Sequence, residues 1–562
     1  MRPRESKASV AVADLERLLD LSALLTSTLD LPSVLTKVLQ NAEALMEAEA
    51  SSVMLYDAAA GELFYEVALG EAGGRIKEQK RLKVGVGIAG WVAEHRQPLS
   101  IEDAYQDPRF FRDFDKKTGF RTKSILCLPL LARDTLIGVA QIINKKEGRS
   151  FSTEDHALFT RFCHIAAVAI DNALLHQKLL AQDRLQRDMQ LAEEIQRAAL
   201  PSDSPSFAGL RVEYRSLACR HVAGDVLEFS RLDDGRLAVL VGDVSGKGVP
   251  AALFAARFSG DFSTLCRSGA EGGEVFTRLN QMVAERSTRG MFITAVHAVF
   301  DPASGVVSLA NAGHVLPLIV GPAPGEVRAV ATPEFPPLGI VEGLAYEAAE
   351  VRLERGERLV LMSDGVADAR SRDGAFFGEA AARRALCACP AVAVPRLMKA
   401  LNEFTAGGTL SDDITIVGLG YGEYQERVMA SRSEELGAMR AFVCGRAAAH
   451  GFDEKVQGRI GLAVDEALAN IIKHTYGMDP GGRIRVGVGW AAGELAVHIR
   501  DWGPKQDPRR FASRDLAEVR PGGLGLHYMR ETMDLVEFDD TLLEGNELHL
   551  LIAQEGGGPG CK

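Results

Sequence analysis

The 562-residue chain has eight cysteines and no Cys-x-x-Cys pair among them. Cys127, Cys163, Cys219, Cys266, Cys387, Cys389, Cys444 and Cys561 are scattered, mostly inside apolar runs. Neither a disulfide framework nor a thiolate metal site is expected, and the thiols read as buried and reduced. An excess of positive charge is missing too. The net charge is −12, which speaks against nucleic acid or anionic lipid as the main partner. By inspection no apolar run reaches membrane-spanning length, so no membrane segment is expected. The opening Met1-Arg2-Pro3-Arg4-Glu5-Ser6-Lys7 lacks the apolar core of a signal peptide. These absences point to a cytoplasmic globular chain. At about 150 residues per domain, the length suggests roughly three or four domains.

What is present comes in three blocks. In the first, Leu18, Leu21 and Leu25, then Val34, Val38 and Leu45, predict two helices separated by Asp30-Leu31-Pro32. Alternating stretches at 52–56 and 63–67 predict strands, a Gly-rich turn at 84–92 leads into a helix, and strands follow at 124–132 and 135–143. From Thr153 a helical pattern runs to Leu200 and stops at Pro201. The motifs Gly87-Ile88-Ala89-Gly90-Trp91-Val92, Ser124-Ile125-Leu126-Cys127-Leu128-Pro129-Leu130 and Ile137-Gly138-Val139 resemble those of GAF domains, over 20–173 after a tail at 1–19. The resemblance implies a sensor fold with a small-molecule ligand of unknown identity. Asn144-Lys145, Phe151 and Asp155 are similar to a signature of cyclic-nucleotide GAF domains, with His156 replacing its final acid. Pinning the last strand to the last helix is the preferred reading of these four.

The segment 171–200 carries Leu174, Leu175, Leu179, Leu180, Leu185, Met189, Ala192, Ile195 and Ala199, spaced mostly by 3 and 4. Such a narrow apolar stripe predicts a helix that pairs with a second copy, hence a homodimer joined through a coiled-coil linker at 174–200.

The second block holds the strongest chemistry: Ala223-Gly224-Asp225, Gly242-Asp243-Val244-Ser245-Gly246-Lys247-Gly248, Ser363-Asp364-Gly365 and Ser411-Asp412-Asp413-Ile414-Thr415. Apolar strands lead into Asp243 and Asp364. Carboxylates at strand ends beside glycines, with no evident His or Cys ligand, suit hard, water-keeping cations, Mg²⁺ or Mn²⁺ rather than zinc. Over 201–422 the block resembles PPM-type (PP2C-like) serine/threonine phosphatases of the RsbU/SpoIIE kind, supported by Asn311-Ala312-Gly313-His314 and Met291-Phe292-Ile293-Thr294. The resemblance implies two metal ions. Asp243 would bridge them, Val244 would offer a backbone carbonyl, and Asp225, Asp364 and Asp412 would complete the ligands. Asp413 has no assigned role, Glu228 stands where the family has a second Asp, and His314 is read as structural.

In the third block Glu466, Asn470 and His474 lie four apart and are expected on one helix face. Asp501-Trp502-Gly503 and Pro521-Gly522-Gly523-Leu524-Gly525 follow. Over 425–555 the order resembles GHKL-type ATPases, specifically RsbW-like anti-sigma-factor serine kinases. The resemblance implies ATP with Mg²⁺: Glu466 as base, Asn470 on the ion, His474 on the same face, and Asp501 with Gly503 at the adenine. Gly522, Gly523 and Gly525 would lie against the phosphates.

The expected architecture is therefore multidomain α/β (α+β): GAF domain, helical linker, PPM-type β-sandwich with flanking helices, and GHKL α/β sandwich. The whole reads as a signal-responsive phosphatase with an appended serine kinase in a partner-switching pathway. Its expected partners are a phosphorylated STAS-type anti-sigma antagonist and a sigma factor. The alternative is a scaffold that sequesters a sigma factor, with ATP structural. A sensor histidine kinase is disfavoured, since only His176 lies on the linker helix.

Overall fold

The computed structural model describes residues 28–69, 81–112, 115–116, 119–199, 204–207, 209–286, 290–323, 325–406, 408, 410–491, 493–506 and 524–554. They divide into two compact units, Met1–Asp188 and Met189–Lys562.

In the first unit the Asp30 carboxylate accepts the Ser33 N–H at 3.1 Å and so caps α1 (Leu31–Met46), whose first turn takes Pro32 without losing a hydrogen bond. Six strands follow: β1 (Ala48–Asp57), β2 (Glu62–Leu69), β3 (Arg81–Lys83), β4 (Leu99–Ile101), β5 (Ile125–Ala132) and β6 (Thr135–Lys145). They form one antiparallel sheet in the order β3-β2-β1-β6-β5-β4. Arg133 and Asp134 both take the left-handed conformation, as a two-residue hairpin turn demands. Helix α2 (Gly87–His95) packs Ile88 and Val92 into one core; α1 and the start of α3 (Thr153–Ala199) build the other from Leu35, Leu39, Phe159, Phe162 and Ile170. Asn144 is buried with φ +56°. Its Oδ1 accepts the N–H groups of Lys123 and Ser124, and its Nδ2 donates to the Arg121 carbonyl. Lys145 Nζ lies 2.6 Å from Asp155 on α3. Lys145 and Asp155 thus join the last strand to the last helix, whereas Asn144 ties the strand's end to the 121–124 segment.

Two expectations need correction here. Thr153–Ala198 contains an 18-residue stretch, of mean hydropathy 1.4, that is apolar enough to cross a membrane by length and composition. The physical reason is its first turns, whose Phe159, Phe162, Ala166, Ile170 and Ala173 belong to the core. Further along, Leu175, Leu179, Leu180, Leu185, Leu191 and Ile195 are exposed. As for the cysteines, Cys389 is disulfide-bonded, whereas Cys127, Cys163, Cys219, Cys266, Cys387 and Cys444 are free.

The second unit begins with a sandwich of two five-stranded antiparallel sheets. Its strands are β7 (Leu210–Leu217), β8 (Asp225–Arg231), β9 (Leu237–Val244), β10 (Ile293–Phe300), β11 (Val306–Ala312), β12 (Leu318–Val320), β13 (Val327–Ala329), β14 (Ala348–Arg352), β15 (Arg358–Met362) and β16 (Ile414–Tyr421). One sheet runs β14-β11-β10-β9-β8 and the other β13-β12-β15-β16-β7. Alternate residues such as Val239, Val241, Phe300, Leu361 and Leu419 fill the space between them. Helices α4 (Val249–Arg267) and α5 (Gly272–Arg286) cover the first sheet; α6 (Gly378–Ala388) and α7 (Ala393–Thr405) cover the second.

After β16 the chain enters a third sheet: β17 (Glu423–Ala430), β18 (Arg483–Ala491), β19 (Glu494–Asp501), β20 (Leu535–Asp539) and β21 (Asn546–Ala553), ordered β17-β18-β19-β21-β20. Helices α8 (Leu436–Ala449), α9 (Glu454–Asn470) and α10 (Leu524–Thr532) pack on its apolar face. The polar face meets the sandwich. There Glu213 on β7 binds both Arg211 and Arg358, Arg215 binds Asp539, and Arg211 binds His498 and Glu547. All of these charged side chains are largely or wholly buried. Burial would raise the Glu547 carboxyl, but His549, Arg211, Arg500 and Arg215 hold it down at about 2. His498, Glu547 and His549 have metal-ligand spacing, yet the Arg211 guanidinium at His498 already supplies the positive charge there.

Candidate functional site

The strand ends of the sandwich bring four separate sequence blocks together. Asp225 opens β8 directly opposite Asp243 on β9. Asp364 follows β15 by one residue, and Asp412 and Asp413 lead into its neighbour β16. Glycine is required beside Asp364: a Cβ on Gly365 would lie 1.9 Å from the Asp413 carbonyl oxygen, whereas one on Gly224 would meet Val244 O at a tight 3.3 Å. Val244, last residue of β9, pairs with Ile293 of β10.

The electrostatics show how close these acids are. Burial, then Asp364, Asp412 and Asp413, push the Asp243 carboxyl up to about 7, with Lys247 pulling the other way. Burial also raises Asp225 well above the usual carboxylate range; the nearby Thr415 hydroxyl opposes this and Asp243 and Asp413 add to it. Asp364 is raised by burial, Asp412 and Asp368. Asp225 Oδ2 is buried with no hydrogen-bond partner. Crowded carboxylates with an orphaned oxygen fit hard divalent cations: Asp225, Asp243, Asp364 and Asp412 are the residues that would hold them.

Asp413 has a different task. Its Oδ1 accepts the Cys219 N–H at 2.7 Å and its Oδ2 the Gly224 N–H at 2.6 Å, so the carboxylate ties down the loop before β8. Gln196, near the end of α3, reinforces that loop by accepting the Ala223 N–H and donating to the Ala223 carbonyl, each at 2.8 Å. Sequence reasoning missed both roles, because an amide on a long helix and the second of two aspartates carry no motif. Cys219 was missed as well: its thiol and the carboxylates of Asp412 and Asp413 lie within 4.8 Å of one another. His314 is buried against Thr294, 2.9 Å from its hydroxyl, and burial lowers it to about 4. Glu228 accepts the Ser259 hydroxyl.

A pH dependence follows. The Asp243 carboxyl titrates near 7 in the fold against 3.8 ordinarily, so the folded chain binds this proton more tightly than the unfolded one. Stability of the metal-free chain should therefore fall as pH rises through about 4 to 7, and a divalent cation should reverse the loss. Thermal melts in chelator and in Mn²⁺, from about pH 5 to about pH 8, are expected to diverge as pH rises. Parallel curves would contradict this.

In the C-terminal domain Asn470, His474 and Asp501 line one pocket with Ala467, Lys505 and Asn546. Asn470 Nδ2 donates to Glu466 Oε1 at 3.1 Å. The α-helix gives way to a π turn at Ile471–Thr475, yet Asn470 and His474 still line the same pocket. Asp501 is buried, and Oδ1 accepts from Gly503 N at 3.0 Å and Asn546 Nδ2 at 2.9 Å. A Cβ on Gly503 would strike Thr475 at 2.3 Å. Asn546 was not legible in sequence. Gly525 lies in the first turn of α10, while Gly522 and Gly523 lie outside the described residues.

Comparison with known families follows this division. The GAF domain model matches residues 30–170, that of stage II sporulation protein E (SpoIIE) residues 233–421, and that of the histidine kinase-like ATPase domain residues 429–552. The chain joins these three domains in that order. Among curated relatives, a probable 3′,5′-cyclic phosphodiesterase (pde-5) of Caenorhabditis elegans is 34% identical over 163 residues, 28% of this chain and 22% of that protein. A dual 3′,5′-cyclic-AMP and -GMP phosphodiesterase 11 of Drosophila melanogaster is 34% identical over 163 residues, 27% of this chain. The chain thus covers 22% and 11% of their lengths. Among solved structures, the RsbU and RsbW domains of a Mycobacterium tuberculosis protein share 20% identity, covering 62% of this chain and 94% of that one at a TM-score of 0.36. The PP2C phosphatase domain of Bacillus subtilis SpoIIE, with a fragment of its regulatory domain, shares 19%, covering 38% and 63% at 0.34.

Proposed function

We propose that the SpoIIE-type domain is a metal-dependent protein serine/threonine phosphatase, and that the chain regulates a partner-switching pathway. The observation that carries this reading is the meeting of Asp225, Asp243, Asp364 and Asp412 at one end of the sandwich, with Asp225 Oδ2 left without a partner. Two Mn²⁺ or Mg²⁺ ions held there would supply Lewis acidity and a water of lowered pKa. The protein's own contribution is placement. Asp413 and Gln196 fix the loop that carries Asp225, β9 delivers Asp243, and burial keeps the carboxylates poised for a cation rather than for water.

The substrate we propose is a phosphoserine on a STAS-type anti-sigma antagonist. The ATPase domain, with Mg²⁺-ATP held by Asn470 and Asp501, either restores that phosphate or holds a sigma factor. Asn470 spends its Nδ2 on Glu466 and so keeps its amide oxygen for a cation. The exposed leucines of α3 suit pairing of two copies, and the GAF domain suits a small-molecule signal in the cytoplasm. Incubating the full chain with a phosphorylated antagonist and Mn²⁺ should release phosphate, and chelator should stop it. No release from any phosphorylated candidate would sink the reading.

One observation favours the scaffold alternative for the C-terminal domain: Glu466 is held by Asn470 and is not among the described residues that line the pocket. Glu466→Gln decides between them. As a kinase base, its loss should lower phosphotransfer by about 100-fold or more with ATP binding retained. Unchanged phosphotransfer, or none in the parent chain, would leave ATP a structural role.

A further inference from the structure

The turn after Asp243 brings a cation to the carboxylate cluster. Lys247 Nζ lies 2.8 Å from Asp412 Oδ2 and 2.8 Å from the Ser411 carbonyl oxygen. It is the group that opposes the mutual repulsion of Asp364, Asp412 and Asp413 at Asp243. The ammonium is not locked in place. The Lys247 side chain is 39% exposed, and the turn is flanked by Gly246 at φ +103° and Gly248 at φ +80°, with open space where a Cβ on either would sit. Such a turn can re-aim its lysine without unpacking anything.

We propose that Lys247 is the centre's built-in counter-cation, holding Asp412 until a divalent ion takes that carboxylate and then turning to the phosphate group of the substrate. The proposal rests on the two-ion reading of the cluster. An ammonium bonded to a carboxylate competes with any dication for the same oxygens, and two cations so close repel. Once displaced, Lys247 stays within a side chain's reach of the site and is a compact point charge of the sort that binds phosphate oxygens. The rival role, a tether between the 245–248 turn and the 411–412 loop, predicts the opposite sign: without it Asp412 would loosen and metal would bind more weakly.

The test is calorimetric titration of the metal-stripped full chain with Mn²⁺, in the parent, Lys247→Met and Lys247→Arg, followed by steady-state kinetics on a phosphoprotein at saturating Mn²⁺. The Met variant should bind Mn²⁺ about 3- to 10-fold more tightly, as loss of a part-exposed ion pair and of a like charge implies. It should also raise KM by about 10-fold, with kcat changed less. The Arg variant, which keeps the charge, should restore KM. Unchanged or weaker Mn²⁺ binding in the Met variant, or an unchanged KM, overturns the switch. If the parent chain binds no Mn²⁺ at all, the two-ion reading falls and takes the switch with it.

Discussion

Asp243→Asn is expected to abolish phosphate release while leaving the chain folded. Asp243 sits opposite Asp225 and feels Asp364, Asp412 and Asp413, so it stands at the centre of the acidic set. Loss of an outer partner of a metal ligand already costs about 10- to 100-fold in affinity, and a central ligand should cost more than about 100-fold in both Mn²⁺ binding and activity. The same change removes a carboxylate that burial and its neighbours push up to about 7. The metal-free variant should therefore melt no lower than the parent at alkaline pH. Activity lost with a lowered melting point would mean a damaged fold instead of an emptied metal centre.

The second large effect is on stability. Glu213 is 5% exposed and lies between Arg211 and Arg358, which are themselves 7% and 8% exposed. Glu213→Gln removes the charge Arg358 is paired with and one of the two carboxylates that Arg211 binds, Glu547 being the other. Leaving buried charge uncompensated costs about 3–5 kcal/mol. Burial already depresses Arg358 to about 9, with Arg211 adding to the effect, so little compensation is in reserve. Replacing all three residues with apolar ones of similar size should cost much less than the single change. Urea unfolding followed by tryptophan fluorescence in a Trp91→Phe background, which leaves Trp490 and Trp502 of the ATPase domain as reporters, would show the ordering. A single variant as stable as the parent would contradict it.

The parts of the fold that were legible in sequence have a local cause. Leu237–Val244 and Arg358–Met362 read as strands because both are apolar runs of strand length ending at Asp-Gly or Gly-Asp. The break before α1 was visible because Asp30 and Pro32 are a cap and a first-turn residue. What was not legible depended mostly on partners far away in the chain. Arg211, Glu213 and Arg215 alternate with Leu210, Val212 and Tyr214, the pattern of a strand with one face in water; nothing in that period reveals a third sheet lying across the polar face. The spacing of Glu466, Asn470 and His474 assumed an unbroken α-helix; a π turn interrupts it at Ile471–Thr475, although Asn470 and His474 still line one pocket. Asp413 and Asp412 are chemically alike, and only the backbone N–H groups of Cys219 and Gly224 separate their roles.

The covered face of the third sheet also bears on how the protein can be taken apart. A fragment cut near Gly422 would bring Arg500, His498, Glu547 and His549 into water and strip Asp539 of the guanidinium it binds. Such a fragment would carry a new, charge-studded underside that the intact polypeptide never shows. Its solubility, self-association and appetite for acidic or basic proteins would then belong to the cut and not to the parent molecule.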